Sequence, residues 1–297
     1  MITRSRSLAT VLVTAATAGA LVTTCAVVGA GLASAARASA AEPAAGSATA
    51  AICTSTLARK HKFAAWLSHG ISRALAGRHS TVGLTVSDPR LGLNCALNET
   101  SHFDAASAIK ATIISALLLK KGGPSHLTSR EKSLAWLMIT ESDNDAATAL
   151  WNDVGMAGMQ RFLDRAGMKH TELAYAWGLT LLTAQDELTL LRVLAYPGHV
   201  LSTASRRYAL DLMAHVEPSQ RWGVPDGAPA GVTVSVKNGW LPYPTGSDWH
   251  INSIGVFSGH NIAYQIAILT SGNPGEAYGI ATVDAAARVI NRDIARG

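Results

Sequence analysis

Two stretches of this 297-residue chain carry a serine three positions ahead of a lysine, Ser107-Ala108-Ile109-Lys110 and Ser129-Arg130-Glu131-Lys132. On a helix this spacing puts hydroxyl and amine on one face. Burial of an ammonium lowers its pKa, so a free amine becomes available to take a proton from a neighbouring hydroxyl and create a nucleophile. A serine at a helix N-terminus also presents its own N–H toward a developing oxyanion. Context separates the two stretches. Lys110 is the one charge between Asp104 and Lys120, within a run of small and apolar residues, whereas Ser129 lies in the polar first turn of a capped helix, among ordinary solvated residues. The spacing also suits a helix whose lysine snorkels to water, and at this point both readings of Ser107 and Lys110 stand.

Two further groupings have a chemical reading. Ser142-Asp143-Asn144 directly precedes a helical run, where Ser or Asn most often serves as a plain N-cap. Lys237-Asn238-Gly239 ends a predicted strand on the polar face it shares with Thr233 and Ser235, and a lysine there is usually a solvated edge residue. Arg221, in Gln220-Arg221-Trp222-Gly223, has the fork geometry for clamping a carboxylate, or else is a surface arginine stacked on Trp222. Glu141 reads as a local base or a dipole-favoured surface residue. The ten histidines show no metal-ligand spacing, and the chain has no Gly-x-Ser-x-Gly elbow or phosphate-binding glycine loop, so neither a metal nor a cofactor is expected.

The elements that must hold these residues follow from periodicity. Apolar residues at helical spacing predict a helix over 57–76, with Gly77 at the cap, followed by strands over 80–87 and 91–97 joined through Asp88-Pro89-Arg90. Helical patterns cover 105–120, 128–140, 143–151, 156–166 and 183–194, with Thr128/Glu131 and Thr183/Asp186 as capping pairs. Strand alternation returns over 232–237, 251–257 and 261–270, and a last amphipathic helix spans 278–296. This order predicts an α+β fold: an antiparallel sheet flanked by N- and C-terminal helices, with an all-helical insertion. Residues 53–104 and 217–297 form the expected α/β lobe and 105–216 the helical lobe, with a site between them.

Arg4 and Arg6, an uncharged run from Ser7 to Ala36 and the small residues Ala38-Ser39-Ala40 predict a cleaved secretory signal over 1–40, with retention as an anchor the alternative. Residues 41–52 read as a leader. Cleavage removes Arg4, Arg6 and Arg37 and no acids, which lowers the formal charge from +5 to +2. With no basic cluster carrying interleaved aromatics, nucleic acid is excluded as a partner. Export leaves Cys53 and Cys95 as the one pair in an oxidising compartment, either a single disulfide or two buried thiols. The mature chain is expected to be a secreted or cell-wall-associated monomer without stable membrane association.

Taken together and in this order, the three motifs resemble the Ser-x-x-Lys, Ser-Asp-Asn and Lys-Thr-Gly elements of class A β-lactamases and penicillin-binding proteins. The resemblance runs from about Cys53 to the C-terminus. It implies that Ser107 is acylated with Lys110 as proton acceptor, and that Ser142 relays a proton to the leaving nitrogen. Asn144 would bond the substrate amide, and Lys237 would supply positive potential for a substrate carboxylate. The backbone N–H groups of Ser107 and Trp240 would form the oxyanion hole; the bulk of the Trp240 ring would narrow the groove. The expected substrate is a β-lactam or a D-alanyl-type cell-wall peptide, with an ester hydrolase or a non-turnover binding protein as alternatives. Two departures bear on rate. The Thr of Lys-Thr-Gly is replaced by Asn238, and the stretch 174–182 holds no carboxylate to activate a deacylating water.

Overall fold

The computed structural model describes residues 51–243, 248–259 and 262–297. The predicted signal segment 1–40, most of the leader 41–52, and Asn261 at the predicted start of a strand lie outside the described residues. Ala51 onward belongs to one compact unit. A six-stranded antiparallel sheet runs in the order β1-β3-β2-β8-β7-β6, with β1 Cys53–Ser55, β2 Thr81–Asp88, β3 Leu93–Leu97, β6 Thr233–Pro242, β7 Trp249–Gly259 and β8 Ile262–Asn273. Helices α1 His61–Leu75 and α8 Glu276–Ile294 pack on each other, and α8 also lies against β7 and β8. On the opposite face lie α6 Ala184–Ala195, packed on β2 and β8, and α7 Thr203–Ala214, packed on β6. The remaining helices are α2 Lys110–Lys121, α3 Ser129–Thr140, α4 Asn144–Val154 and α5 Met156–Ala166. Among the described residues no helix is long and apolar enough to cross a membrane.

Most expected elements are present, and the differences have physical causes. The first helix starts at His61 because Ala58–Lys60 winds as a tighter 3-10 turn. The short strand β1 was not expected; it places Cys53 opposite Cys95 of β3, and the two form a disulfide. The bridge therefore ties two strands, while the link from Cys53 to α1 is a backbone hydrogen bond to Ser68 Oγ at 2.7 Å. Helix α7 was also missed, since its sequence TASRRYALDLMA mixes buried and exposed residues without a clean stripe. Phe103–Asp104 (β4) pairs with Leu181–Leu182 (β5) as a separate two-stranded ribbon. The Thr128–Glu131 capping box forms in full, and Thr183 accepts from the Asp186 N–H.

Helix α2 is the centre of the helical elements. Every residue from Lys110 to Leu118 is buried, against α4, α5 and α7, which explains why its sequence is apolar all round. Helix α6, packed on β2 and β8, carries an acid without a hydrogen-bond partner among the described residues. Glu187 is fully buried, neither carboxyl oxygen has a hydrogen-bond partner among the described residues, and burial, aided by Asp186, pushes its pKa up to about 8. A carboxyl whose folded pKa lies above its unfolded value contributes most below the unfolded pKa, and the contribution is lost as pH rises through the folded one. Replacement by leucine (Glu187→Leu) is therefore expected to raise the unfolding free energy by roughly 2–5 kcal/mol at pH 9, with a smaller gain at pH 5. Denaturant melts at the two pH values check this; an equal change at both would contradict it.

Candidate active site

Ser107 sits in a 3-10 turn, Ala106–Ile109, that leads directly into α2. The residue before it, Ala106, has φ +46°, a left-handed conformation that costs of order 1 kcal/mol or more for a residue with a Cβ. The turn is pressed against β6. A Cβ built on Gly239 would lie 2.6 Å from the Ala108 nitrogen and 2.7 Å from that of Ser107, so the strand can approach only because position 239 lacks a side chain.

Ser142 is not the N-cap that its sequence context suggests. It links α3 to α4 with φ +56°, and the Leu137 carbonyl accepts from both the Glu141 and the Asp143 N–H groups. The chain thus wraps back over the end of α3, with Ser142 in the left-handed conformation that glycine usually supplies after a helix. The cap of α4 is Asp143, whose carboxylate accepts from the Ala146 N–H at 2.7 Å. Glu141 is exposed at the α3 C-cap, and its carbonyl accepts from Gln220.

Two buried lysines hold Ser142 in this conformation. Lys110 Nζ donates to the Ser142 carbonyl at 2.7 Å, to its Oγ at 3.1 Å and to Asn144 Oδ1 at 2.8 Å. Lys237 Nζ approaches the same Oγ at 3.0 Å and donates to the Asn238 carbonyl at 2.9 Å. Both lysines have 0% exposure. Burial lowers the Lys110 pKa to about 7, with the Asp143 charge pulling it back up. Lys237 is held well below the ordinary lysine value, first by burial and then by the Lys110 charge, against the pull of Glu217. The reading of Lys237 as a solvated strand-end residue is thus overturned: β6 continues to Pro242, and the face bearing Lys237 is covered. The alternative in which Lys110 snorkels to water is overturned as well. Lys110 makes no hydrogen bond to Ser107 in this arrangement; its polar contacts run to Ser142 and Asn144.

Strand alternation sorts the third motif. Ser235, Lys237 and Gly239 face α7 and the Ser107 turn, Ser235 donating to the Leu210 carbonyl of α7 at 2.8 Å. Asn238 and Trp240 face the other way. Asn238 is fully buried and its side chain donates to the carbonyls of Gln220 and Trp222 at 2.7 and 2.9 Å, anchoring the loop that carries them. The Trp240 ring packs edge-on to Trp222 with ring centroids 6.0 Å apart. Arg221 spends both terminal nitrogens on the carbonyls of Ala214 and Val234, which tie α7 to β6 in place of a carboxylate clamp. Ser129 and Lys132 are exposed on α3, away from these contacts.

Three contributors escaped sequence reasoning. Trp177, in the turn Trp177–Leu179, lies over Lys110 with Nζ 4.9 Å from the ring centroid, and its Nε1 donates to Thr148 Oγ1 of α4 at 3.1 Å. Its segment reaches the site through the β4–β5 ribbon and the bond from Ala105 N–H to the Thr180 carbonyl. Glu217 acts on Lys237 through charge alone. Asn252, opposite Gly239 on β7, donates to the carbonyls of Asp104 and Ala105. None has a sequence signature; each becomes visible only through long-range pairing. Among the described residues no cluster of His, Cys, Asp and Glu could hold a metal ion.

Comparison with known proteins follows the geometry. Among solved structures, an ancestral class A beta-lactamase (GNCA) superposes with a TM-score of 0.63 at 21% identity, over 75% of this chain and 98% of that one. A beta-lactamase from Xanthomonas campestris pv. campestris matches with a TM-score of 0.63 at 20% identity, over 77% and 98%. PBP-A matches with a TM-score of 0.66 at 20% identity, over 78% and 97%. At these identities the likeness shows the fold. No curated protein sequence matches. The sequence profile of the beta-lactamase enzyme family matches residues 121–294, which include Ser142 and Lys237 and begin after Ser107 and Lys110. With that profile covering more than half of the chain, and with the α+β fold it shares with class A enzymes, the chain belongs to the beta-lactamase enzyme family.

Proposed function

We propose that this hydrolase-family protein is an exported acyl-serine enzyme that opens an amide, in a β-lactam or a D-alanyl-type peptide, through Ser107. The observation that carries the reading is the convergence of two buried lysines on the Ser142 hydroxyl, one of them, Lys110, three residues on from Ser107 at the start of α2. A lysine near pKa 7 is half deprotonated at neutral pH, which suits a group that must accept a proton and return it. Lys110 takes the Ser107 proton as Oγ attacks the carbonyl, once substrate has drawn its contacts from Ser142 and Asn144 into line. Ser142 gives its proton to the leaving nitrogen and is reprotonated from Lys110. Lys237, with its charge next to Ser142, attracts an anionic substrate. The backbone N–H groups of Ser107 and Trp240 take the oxyanion, in a groove whose width Gly239 sets, and Asn144 is the substrate-facing amide.

The weak step is deacylation. No carboxylate occurs between 174 and 182, and the place beside Lys110 is taken by the Trp177 ring. A missing general base costs typically about 10²–10⁴-fold, more for a β-lactam whose opened ring stays attached. This favours a long-lived acyl-enzyme on β-lactams and leaves peptide turnover less affected.

Intact mass and peptide mapping after penicillin treatment should place one adduct on Ser107. An adduct on Ser129, or one that survives Ser107→Ala, would sink the assignment. A chromogenic cephalosporin should give a burst of about one equivalent and then a slow steady state, with the burst rate rising as pH climbs through about 7, where the Lys110 amine becomes neutral. Lys110→Ala should abolish the burst. Fast multiple turnover by the wild type would mean that another group serves as base. Gly239→Ala, which forces β6 off the Ser107 turn, should slow acylation by roughly 10²-fold or more, the order expected for a misplaced oxyanion donor, while the burst stoichiometry stays at one.

A further inference from the structure

Asp104, three residues ahead of Ser107, is a buried carboxylic acid that the proposed chemistry does not use. Its N–H, its carbonyl and its carboxylate Oδ2 are engaged by His250, Asn252 and Tyr243, on β7 and at the end of β6. Its N–H donates to His250 Nδ1 at 3.2 Å, its carbonyl accepts from Asn252 Nδ2 at 2.8 Å, and its carboxylate Oδ2 accepts from the Tyr243 hydroxyl. Asn252 also donates to the Ala105 carbonyl at 3.1 Å, and its own Oδ1 accepts from the Thr270 N–H at 3.3 Å, so it is fixed in turn by β8. The Tyr243 and His250 rings lie against each other at 5.0 Å. On its other side the same segment is held by the β4–β5 ribbon, which leaves no slack between Asp104 and the strained Ala106.

Resting on the reading of Ser107 as nucleophile, we infer that the β6–β7 hairpin acts through Asp104 as a clamp that positions the Ser107 turn, and that the clamp depends on an unprotonated His250 Nδ1. The acceptor is the sensitive part. A backbone N–H cannot donate to a nitrogen that already carries a proton, so an imidazolium at 250 breaks the bond to Asp104 and turns its new N–H toward Asp104 Oδ2, now 3.8 Å away. The groups that face His250 are the Asp104 carboxylate, the Tyr243 hydroxyl and the Asp248 carboxylate. Burial lowers the His250 pKa below its ordinary value of 6.5, with the two carboxylates pulling it back up. The clamp is therefore closed at neutral pH and opens as pH falls through the lowered histidine value. Tyr243, His250 and Asn252 are positioning residues: they touch Asp104 and Ala105, not the reacting atoms.

The test uses the mature protein and His250→Asn, whose Oδ1 can accept from the Asp104 N–H without titrating. In a pH series of amide NMR spectra, the wild-type Asp104 and Ser107 amides should shift with the same midpoint as the His250 ring, below 6.5, and in His250→Asn this transition should be absent. This arm needs no substrate, so it stands even if Ser107 proves not to be acylated. In the burst assay, wild-type acylation should fall about tenfold per pH unit below 7 and about a hundredfold per unit once His250 also protonates, whereas His250→Asn keeps the shallower slope throughout. Asn252→Asp should lower the burst rate roughly 10²-fold at pH 7.5 with little change in the substrate concentration for half-maximal rate, and the milder Tyr243→Phe should lower it less. Amides of Asp104 and Ser107 that titrate alike in both proteins, or in neither, would overturn the proposal. So would an unchanged steep limb in His250→Asn.

Discussion

Two ammonium groups without solvent contact share one hydroxyl oxygen, and most of the structure around them exists to make that tolerable. Each buried cation is costly, and placing two within 3.0 and 3.1 Å of the same atom adds their repulsion. The protein meets this with acceptors and with proton loss. Lys110 has three acceptors and an aromatic face, Asp143 and Glu217 supply distant negative charge, and both amines are shifted toward their neutral forms. The arrangement is electrostatically expensive in the resting state and useful in the proposed reaction, because a proton can change hands there with little change in local charge.

The same site concentrates backbone strain. Of the three non-glycine residues with positive φ among the described residues, Ala106 immediately precedes Ser107 and Ser142 is the residue both lysines contact. Glycine at 142 would relieve the helix terminus but remove the hydroxyl on which both lysines converge. The strain at Ala106 and Ser142 is set against α2, whose buried residues from Lys110 to Leu118 mount Lys110 on a closely packed axis.

How much was legible in the sequence differs by residue. The apolar run around Lys110 pointed to burial but left a path for its chain to snorkel to water, which the packing around α2 closes. The capping pairs marked the starts of α3 and α6, which are local features. For Lys237 local pattern and motif pointed apart: alternation with Thr233 and Ser235 looks like a wet face because the element that covers it, α7, is not itself visible as a stripe, while the motif order placed it beside Ser142. Asn238 and Trp240 were placed in the groove by motif adjacency, although a strand turns neighbours to opposite sides. Trp177, Glu217, Asn252, Tyr243 and His250 reach the site through contacts between distant segments, and no local pattern marks them.

The geometry of β6 has a wider consequence. It is the outermost strand of the sheet, and on it lysine and asparagine, two neighbours of opposite use, alternate with the strict period of two. A slip of one residue against β7 would exchange them: Asn238 would enter beside Ser142, while Lys237 would lose its counter-charges and Gly239 would vacate the one place where the Ser107 turn can approach. The same slip would turn Val234 and Val236 out of the core, so the buried apolar face of β6 and the placement of Lys237 are held by one register. The strand thus transmits information by phase as well as by composition, through the register that pairs Thr233 to Pro242 with Trp249 to Ser258.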